Sequence, residues 1–248
     1  MILTLARHEL RRLFLSPLAW TILAVVQLIL AWMFLSQVDY YQQMQGQMLG
    51  MDGEHGVTEA VVTPLLGNAA VVLLLIVPLI SMRLITEERR NKTLALLFSA
   101  PLSMTEIVLG KYLGLVSFLG IQILLIALMP LSLLLGGGLD FGLFASGLLG
   151  LTLLLAGFAS VGLFVSTLTQ HQTVAAVGTF GVLLLFWILD WAGAGRSGGV
   201  LASLSLLNHY EPFLKGVFDT RDAVFHLLFI VTFLTLSVRR LDMDRLGG

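Results

Sequence analysis

Few residues in this chain are of types and spacings that could carry out catalysis. Nucleotide hydrolysis needs the pattern G-x-x-x-x-G-K-[ST], which holds phosphates, and the single Gly-Lys pair, Gly110-Lys111, is followed by Tyr112. The five histidines are scattered along the sequence without an H-E-x-x-H motif, and there is no cysteine. The sequence therefore predicts a chain that is not an enzyme and has no catalytic residue, metal or cofactor of its own.

The composition indicates which solvent the chain folds in. Hydrophobic residues make up 57% of its 248 residues, and charged residues only 12%, about half the share in an average soluble domain. Apolar runs reach the roughly 20 residues that cross a hydrocarbon layer. The net charge of −1 gives no indication of a nucleic-acid partner. The sequence therefore predicts that the lipid bilayer surrounds most of the chain.

Hydropathy predicts an all-α integral membrane protein, a single domain over residues 1–248 with six transmembrane helices. No span centre contains an acidic or basic residue, which argues against a proton-coupled secondary transporter. The predicted spans are 18–38, 61–82, 107–135, 141–168, 173–189 and 223–238. The polar residues inside them are predicted to hydrogen-bond between helices, and these are Gln27, Asn68, Ser117 and Gln122.

Lysine and arginine are distributed unequally between the two ends of these spans. Only Arg196, Lys215 and Arg221 fall at one end. Because positive charges stay on the cytoplasmic side, the other end and both termini are predicted to be cytoplasmic. Eleven cations lie there: Arg7, Arg11, Arg12, Arg83, Arg89, Arg90, Lys92, Lys111, Arg239, Arg240 and Arg245.

The amino-terminal segment, residues 1–17, has apolar and basic residues at helical spacing. Leu5 and Leu13 fall on one face, with arginines on the other. This pattern is typical of a helix that lies in the membrane interface. The alternative is that the segment is only the charged flank of the first span.

A charged segment between the second and third spans, residues 83–106, is the most informative part of the sequence. Asn91 and Lys92 favour a break after its charged start, and residues 93–99 can then form a short amphipathic helix. Pro101 ends that helix, because proline disfavours helix at the residue before it. The alternative is an interfacial linker that binds no partner.

Two further features concern helix starts. Ser103 and Glu106 have the S-x-x-E spacing of a capping box, so Ser103 is predicted to open the third span. Residues 193–222 are apolar but too interrupted for a full span. They predict a pair of short helices dipping into the outer leaflet, with Asp219 and Asp222 near a helix start, or alternatively an ordinary surface loop.

Two stretches resemble a known family. Residues 82–113, MRLITEERRNKTLALLFSAPLSMTEIVLGKYL, resemble the cytoplasmic loop of ABC type-2 permeases, most closely the gliding-motility-type branch, to which the nitrous-oxide-reductase-maturation permeases are related. Residues 208–229, NHYEPFLKGVFDTRDAVFHLLF, are similar to that branch's stretch before its last helix. The resemblance covers nearly the whole chain. It implies a type V ABC exporter-like half with an interfacial helix, a cytoplasmic coupling helix and an external re-entrant helical hairpin.

The resemblance also implies a function. The chain is expected to be a permease subunit of the bacterial inner membrane, coupling ATP hydrolysis by a separate ATPase subunit to export or mechanical work. Two copies of that subunit would carry the ATP and Mg, beside a second permease half, identical or related, and a possible periplasmic accessory subunit. The ATPase-coupling residues implied are Glu87, Glu88, Arg89, Thr93, Leu94, Leu97, Phe98, Ser99 and Pro101.

Two points stay open in the sequence. Lys92 stands where the family more often has glycine, which predicts a less sharp break before the coupling helix. The alternative function is a membrane scaffold or assembly factor that anchors a cytosolic ATPase without a transport cycle.

Overall fold

The computed structural model describes residues 1–47, 56–93, 102–135, 138–193 and 202–246, and these are helical with no strand among them. Among these described residues, six helical stretches are long and apolar enough to cross a membrane: Pro17–Met44, Thr58–Arg90, Met104–Ser132, Phe141–Leu168, Gln172–Leu189 and Thr220–Leu246. The prediction of six membrane-crossing helices is therefore confirmed. The α-helices are α1 Ile2–Leu15, α2 Pro17–Gln47, α3 Thr63–Ser81, α4 Thr86–Arg90, α5 Met104–Ser132, α6 Phe141–Leu168, α7 Gln172–Gly193, α8 Glu211–Leu214 and α9 Thr220–Leu246.

The amino-terminal segment forms a helix of its own. It ends at Ser16, whose φ of −84° and ψ of 130° are extended. Pro17 restricts the residue before it to this region and occupies the first position of α2, where its missing amide donor costs nothing. Residues 1–17 are therefore not a simple extension of the first span. That α1 lies in the membrane interface stays a prediction.

Helix α6 is the centre of the bundle. Of the apolar window that could cross the membrane, 67% is buried in α6, against 33% in the first span and 22% in each of the last two. It packs against α3, α5, α7 and α9. The outer helices therefore present apolar side chains to lipid or to another membrane chain.

Two glycines bring α1 unusually close to α5. A Cβ at Gly110 would lie 2.5 Å from Leu5 Cδ2 and 2.7 Å from Leu5 Cβ, and one at Gly114 would lie 2.8 Å from Glu9 Cβ. Residues four apart share one helix face, so both glycines face α1. Small residues at this spacing let helix backbones approach closely where lipid supplies no hydrophobic drive for association.

The segment before the last span is anchored by aromatic side chains. Tyr210 is fully buried and donates its hydroxyl to Leu66 O at 3.1 Å, while Phe213 packs on Gly150. Burial raises the pKa of Tyr210. Residues 194–201 of the predicted hairpin lie outside the described part of the chain, and its entry into the outer leaflet stays a prediction.

The last span begins near Asp219 and Asp222, as the sequence predicted. Asp219 Oδ1 accepts a hydrogen bond from the Arg221 amide at 2.8 Å, and Asp222 lies in the first turn of α9. Helix α9 then continues to Leu246, beyond the predicted end of the span at residue 238. The span looked short in hydropathy because its last two turns are charged.

We expect Gly110→Ala to lower the free energy of unfolding by about 1–3 kcal/mol, since its Cβ would force α1 away from α5. The control is Gly120→Ala on the same helix, where an added Cβ meets nothing within 4 Å. That change should be neutral or slightly stabilising. Thermal unfolding of the purified protein in detergent compares the two variants, and equal stability would show that α1 is not closely packed there.

Candidate functional site

Only some of the predicted coupling residues lie in the described part of the chain. Glu87, Glu88, Arg89 and Thr93 are described. The other five predicted coupling residues lie outside the described part of the chain, and they are Leu94, Leu97, Phe98, Ser99 and Pro101. The site that can be built from contacts is therefore the start of the loop and the helices that hold it.

The short helix α4 carries the first three of these residues and ends in a glycine-type cap. Thr93 N donates to Glu88 O at 3.0 Å and Lys92 N to Arg89 O at 3.3 Å, the paired bonds of a Schellman motif. Lys92 adopts the left-handed φ of 58° that such a cap requires. The expectation of a less sharp break was wrong, because the lysine takes the conformation that glycine would supply.

The third span begins at the other end of the loop with the predicted capping box. Ser103 Oγ accepts from the Glu106 amide at 3.2 Å, and Glu106 Oε2 accepts from the Ser103 amide at 3.0 Å. This prediction is confirmed. The described residues on either side of 94–101 therefore form a capped helix end at Lys92 and a capped helix start at Ser103.

A buried ion network fixes α4 to the rest of the protein. Lys111, whose side chain is only 2% exposed, lies on α5 and places its Nζ 2.5 Å from Glu88 Oε1 and 3.2 Å from Glu9 Oε2. One lysine therefore joins α1, α4 and α5. Its burial is possible because both carboxylates supply opposite charge and hydrogen-bond acceptors.

Arg12 extends this network on α1. Its Nη2 lies 2.6 Å from Glu87 Oε2 and its Nη1 3.4 Å from Glu88 Oε1. Burial by itself lowers the pKa of Arg12, but the carboxylates of Glu9, Glu87 and Glu88 raise it above its usual value overall. Two cations and three carboxylates thus form one cluster, which we call the α4 clasp: Glu9, Arg12, Glu87, Glu88 and Lys111.

Arg89, the third predicted coupling residue, contacts a different helix. The Arg89 guanidinium forms an ion pair with the Asp244 carboxylate near the end of α9. The start of the loop is therefore tied to the last span as well as to α1 and α5. These ion pairs also show that the charged ends of the second, third and sixth spans lie at the same end of the bundle.

Comparison with known proteins identifies the family of the chain. The family model for "ABC-2 family transporter protein" matches residues 3–241. The chain belongs to the ABC-2 transporter family. A search of curated proteins found no match.

Membership of the ABC-2 family makes this chain a multi-pass membrane protein and the membrane component of a transporter, not its catalytic subunit. The Gly-Lys pair that could have suggested a nucleotide site has a structural use in this ABC-2 chain. Gly110 allows α1 to approach α5 closely, and Lys111 forms ion pairs within the α4 clasp.

The polar residues inside the spans of this ABC-2 chain behave in two ways. Gln27 Nε2 donates to Leu125 O at 2.7 Å, and Gln122 Nε2 donates to Gln27 Oε1 at 3.2 Å. For these two, the prediction of interhelical hydrogen bonds is confirmed. It was wrong for Ser117, which donates to Leu113 O within its own helix.

Two histidines that are scattered in the sequence come together at the opposite end of the bundle. His209 Nδ1 lies 2.6 Å from Asp222 Oδ1, and its ring stacks on Phe225 with centroids 3.9 Å apart. His226 Nδ1 lies 2.9 Å from the Asp222 carbonyl oxygen. Within the described residues no group of three His, Cys, Asp or Glu could hold a metal ion. The cluster therefore joins the α8 region to the start of α9.

Sequence reasoning missed four members of the ion-pair networks: Glu9, Arg12, Lys111 and Asp244. Lys111 was assigned to the basic flank of a span, although the glycines at 110 and 114 signal a close approach beside it. Glu9 is the only acidic residue among the first 38 residues, which was a second available signal. Asp244 carried no signal, since its partner lies 155 residues away.

We expect Lys111→Met to lower the free energy of unfolding by about 3–5 kcal/mol, because it leaves Glu9 and Glu88 without their buried counter-charge. Lys215→Met is the control, since Lys215 and Glu211 form an exposed pair whose loss costs at most about 1 kcal/mol. Thermal unfolding in detergent gives both values.

Adding Glu9→Gln and Glu88→Gln to Lys111→Met should recover part of the lost stability, because it removes the unpaired charges. If the triple variant were no more stable than Lys111→Met, lost packing rather than lost charge would explain the effect.

Proposed function

We propose that this chain is the permease subunit that couples ATP hydrolysis on a separate ATPase subunit to export or mechanical work. The observation that carries the proposal is the α4 clasp, which ties the start of the coupling loop to α1 and to the third span. A partner that moves the loop would therefore move these helices with it. Family membership supplies the class of partner, an ABC ATPase.

The geometry of the loop ends supports this role. Helix α4 stops at a Schellman cap and α5 starts at a capping box, so little displacement is lost in flexible helix ends. The buried charges of the clasp resist separation, since an unpaired charge in a low-dielectric site is costly. The Arg89 ion pair with Asp244 would carry the same displacement to the last span.

The wider assembly follows the family resemblance. Two permease halves, identical or related, would surround the pathway, and two ATPase subunits with bound ATP and Mg would dock on the two coupling helices. The gliding-motility-type branch would place the complex in the bacterial inner membrane, with both termini cytoplasmic and a possible periplasmic accessory subunit. The excess of cations at the clasp end supports this orientation.

Docking is tested by purifying the tagged chain from its native cells and measuring the Mg-ATP hydrolysis that accompanies it. We expect the unaltered chain to retain an ATPase, and Leu97→Asp or Phe98→Asp to reduce the retained activity at least tenfold, because a charge would enter an apolar contact. Leu246→Asp is the control, since Leu246 is an exposed apolar residue at the same end of the bundle. The chain freed of its partner should hydrolyse no ATP, and turnover by the chain alone would contradict the proposal.

Coupling is tested separately from docking with two adjacent arginines. We expect Arg89→Gln to retain the ATPase but to reduce several-fold the change in ATPase rate that the permease imposes in reconstituted vesicles, because the link to α9 is lost. The exposed neighbour Arg90 provides the matched variant Arg90→Gln, which should behave as the unaltered chain.

If the permease binds the ATPase but never alters its rate, the chain is a scaffold rather than a transporter half. If Arg89→Gln and Arg90→Gln changed the ATPase rate equally, the contact between Arg89 and the last span would have no part in coupling.

A further inference from the structure

A cavity of about 250 Å³ lies beside the α4 clasp, between α1, the start of α2 and the end of α3. Four of its lining residues are charged, and these are Glu9, Arg12, Arg83 and Glu87. The other lining residues are mostly apolar and include Leu18 and Ile80. The cavity is smaller than the pockets of about 300–1,000 Å³ that enclose whole small-molecule ligands, so it suits a headgroup rather than an entire amphiphile.

Arg83 is the lining cation whose charge is not used inside the protein. Arg12 is committed to the carboxylates of the clasp. Arg83 makes no ion pair or hydrogen bond with any described residue, and its Nε is buried without a partner. Because Arg83 has no counter-charge among the described residues, an anion in the cavity would not compete with an internal ion pair for its guanidinium. The planar guanidinium fork matches a phosphate group in particular.

The level of the cavity along the bundle identifies the source of the phosphate. Trp20 on α2 is exposed and adjacent to the lining residues Leu18 and Ala19. Tyr40, also exposed, lies 20 residues further along the same helix, about 30 Å at 1.5 Å per residue. This equals the thickness of the hydrocarbon core. Trp32 between them is also exposed, so the level follows mainly from the span ends: Leu18 lies at the start of the first span and Ile80 at the end of α3. Lipid headgroups lie at the ends of membrane spans, and the cavity is at their level.

The charge of this end of the bundle favours an anionic lipid. Its eleven cations face only six acidic residues, which are Glu9, Glu87, Glu88, Glu106, Asp242 and Asp244. Clusters of lysine and arginine at a membrane surface attract anionic headgroups. We propose that Arg83 and this cavity bind the phosphate of an anionic phospholipid, whose glycerol region would contact the apolar lining residues. The proposal does not depend on a partner ATPase or on which leaflet the clasp faces.

The test measures lipid binding to the purified full chain. Phosphatidylglycerol in mixed micelles should raise the thermal unfolding temperature by several degrees, and native mass spectrometry should show one lipid retained more strongly than the rest. Phosphatidylcholine should give less than half of the shift. Arg83→Gln should lose the retained lipid and at least half of the shift, because the phosphate loses its guanidinium partner.

The matched control is Arg11→Gln, since Arg11 is an exposed arginine on α1 at the same end of the bundle. It should keep the bound lipid. Loss of lipid in Arg11→Gln equal to that in Arg83→Gln would overturn the site in favour of diffuse surface charge. Unchanged binding in Arg83→Gln would overturn it outright, as would a phosphatidylcholine shift equal to that of phosphatidylglycerol.

Two further measurements test whether the cavity binds a free anion and provide a second variant of Arg83. Inorganic phosphate and glycerol 3-phosphate should leave the unfolding temperature unchanged, and a shift with either that matches the lipid would assign the cavity to a free anion instead. If Arg83→Gln does not fold, Arg83→Lys keeps the charge but removes the planar fork. It should retain lipid at least threefold less well, and equal retention would refute the guanidinium contact.

Discussion

A buried ammonium group needs anionic partners, and Lys111 finds two of them on different helices. Glu9 comes from α1 and Glu88 from α4, while Lys111 itself belongs to the third span. Arg12 also contacts Glu9 and Glu88, but Lys111 is their fully buried counter-charge, and its loss would leave both carboxylates only partly compensated. The position of α4 relative to the spans therefore depends on this contact.

The close packing of α1 and α5 is what allows that contact to form. Gly110 and Gly114 flank Lys111 on its own helix and leave no side chain between the two backbones. Lipid offers apolar side chains as good an environment as another helix does, so close approach and paired charges must supply the association. The same residues thus explain why α1 is held, why Lys111 is shielded and why α4 has a fixed place.

Features that depend on neighbours in sequence could be predicted. The six spans follow from hydropathy, and the start of α5 follows from Ser103 and Glu106, because a capping box closes within four residues. The break at Lys92 was underestimated, since a lysine can adopt a left-handed φ when the surrounding helix cap provides the hydrogen bonds. Ser117 was misassigned because a serine inside a helix can satisfy its hydroxyl on the preceding turn.

By itself the sequence determined that the protein folds in a membrane, its number of candidate spans, the end at which its cations concentrate and the capped start of α5. These are set by composition and by spacing within a single helix or loop. Only the tertiary structure decided that Glu9, Glu88 and Lys111 meet, that Arg89 contacts Asp244 and that Arg83 is left beside a cavity. Such contacts join residues up to 155 positions apart, and the charge of a side chain does not specify which distant partner it meets.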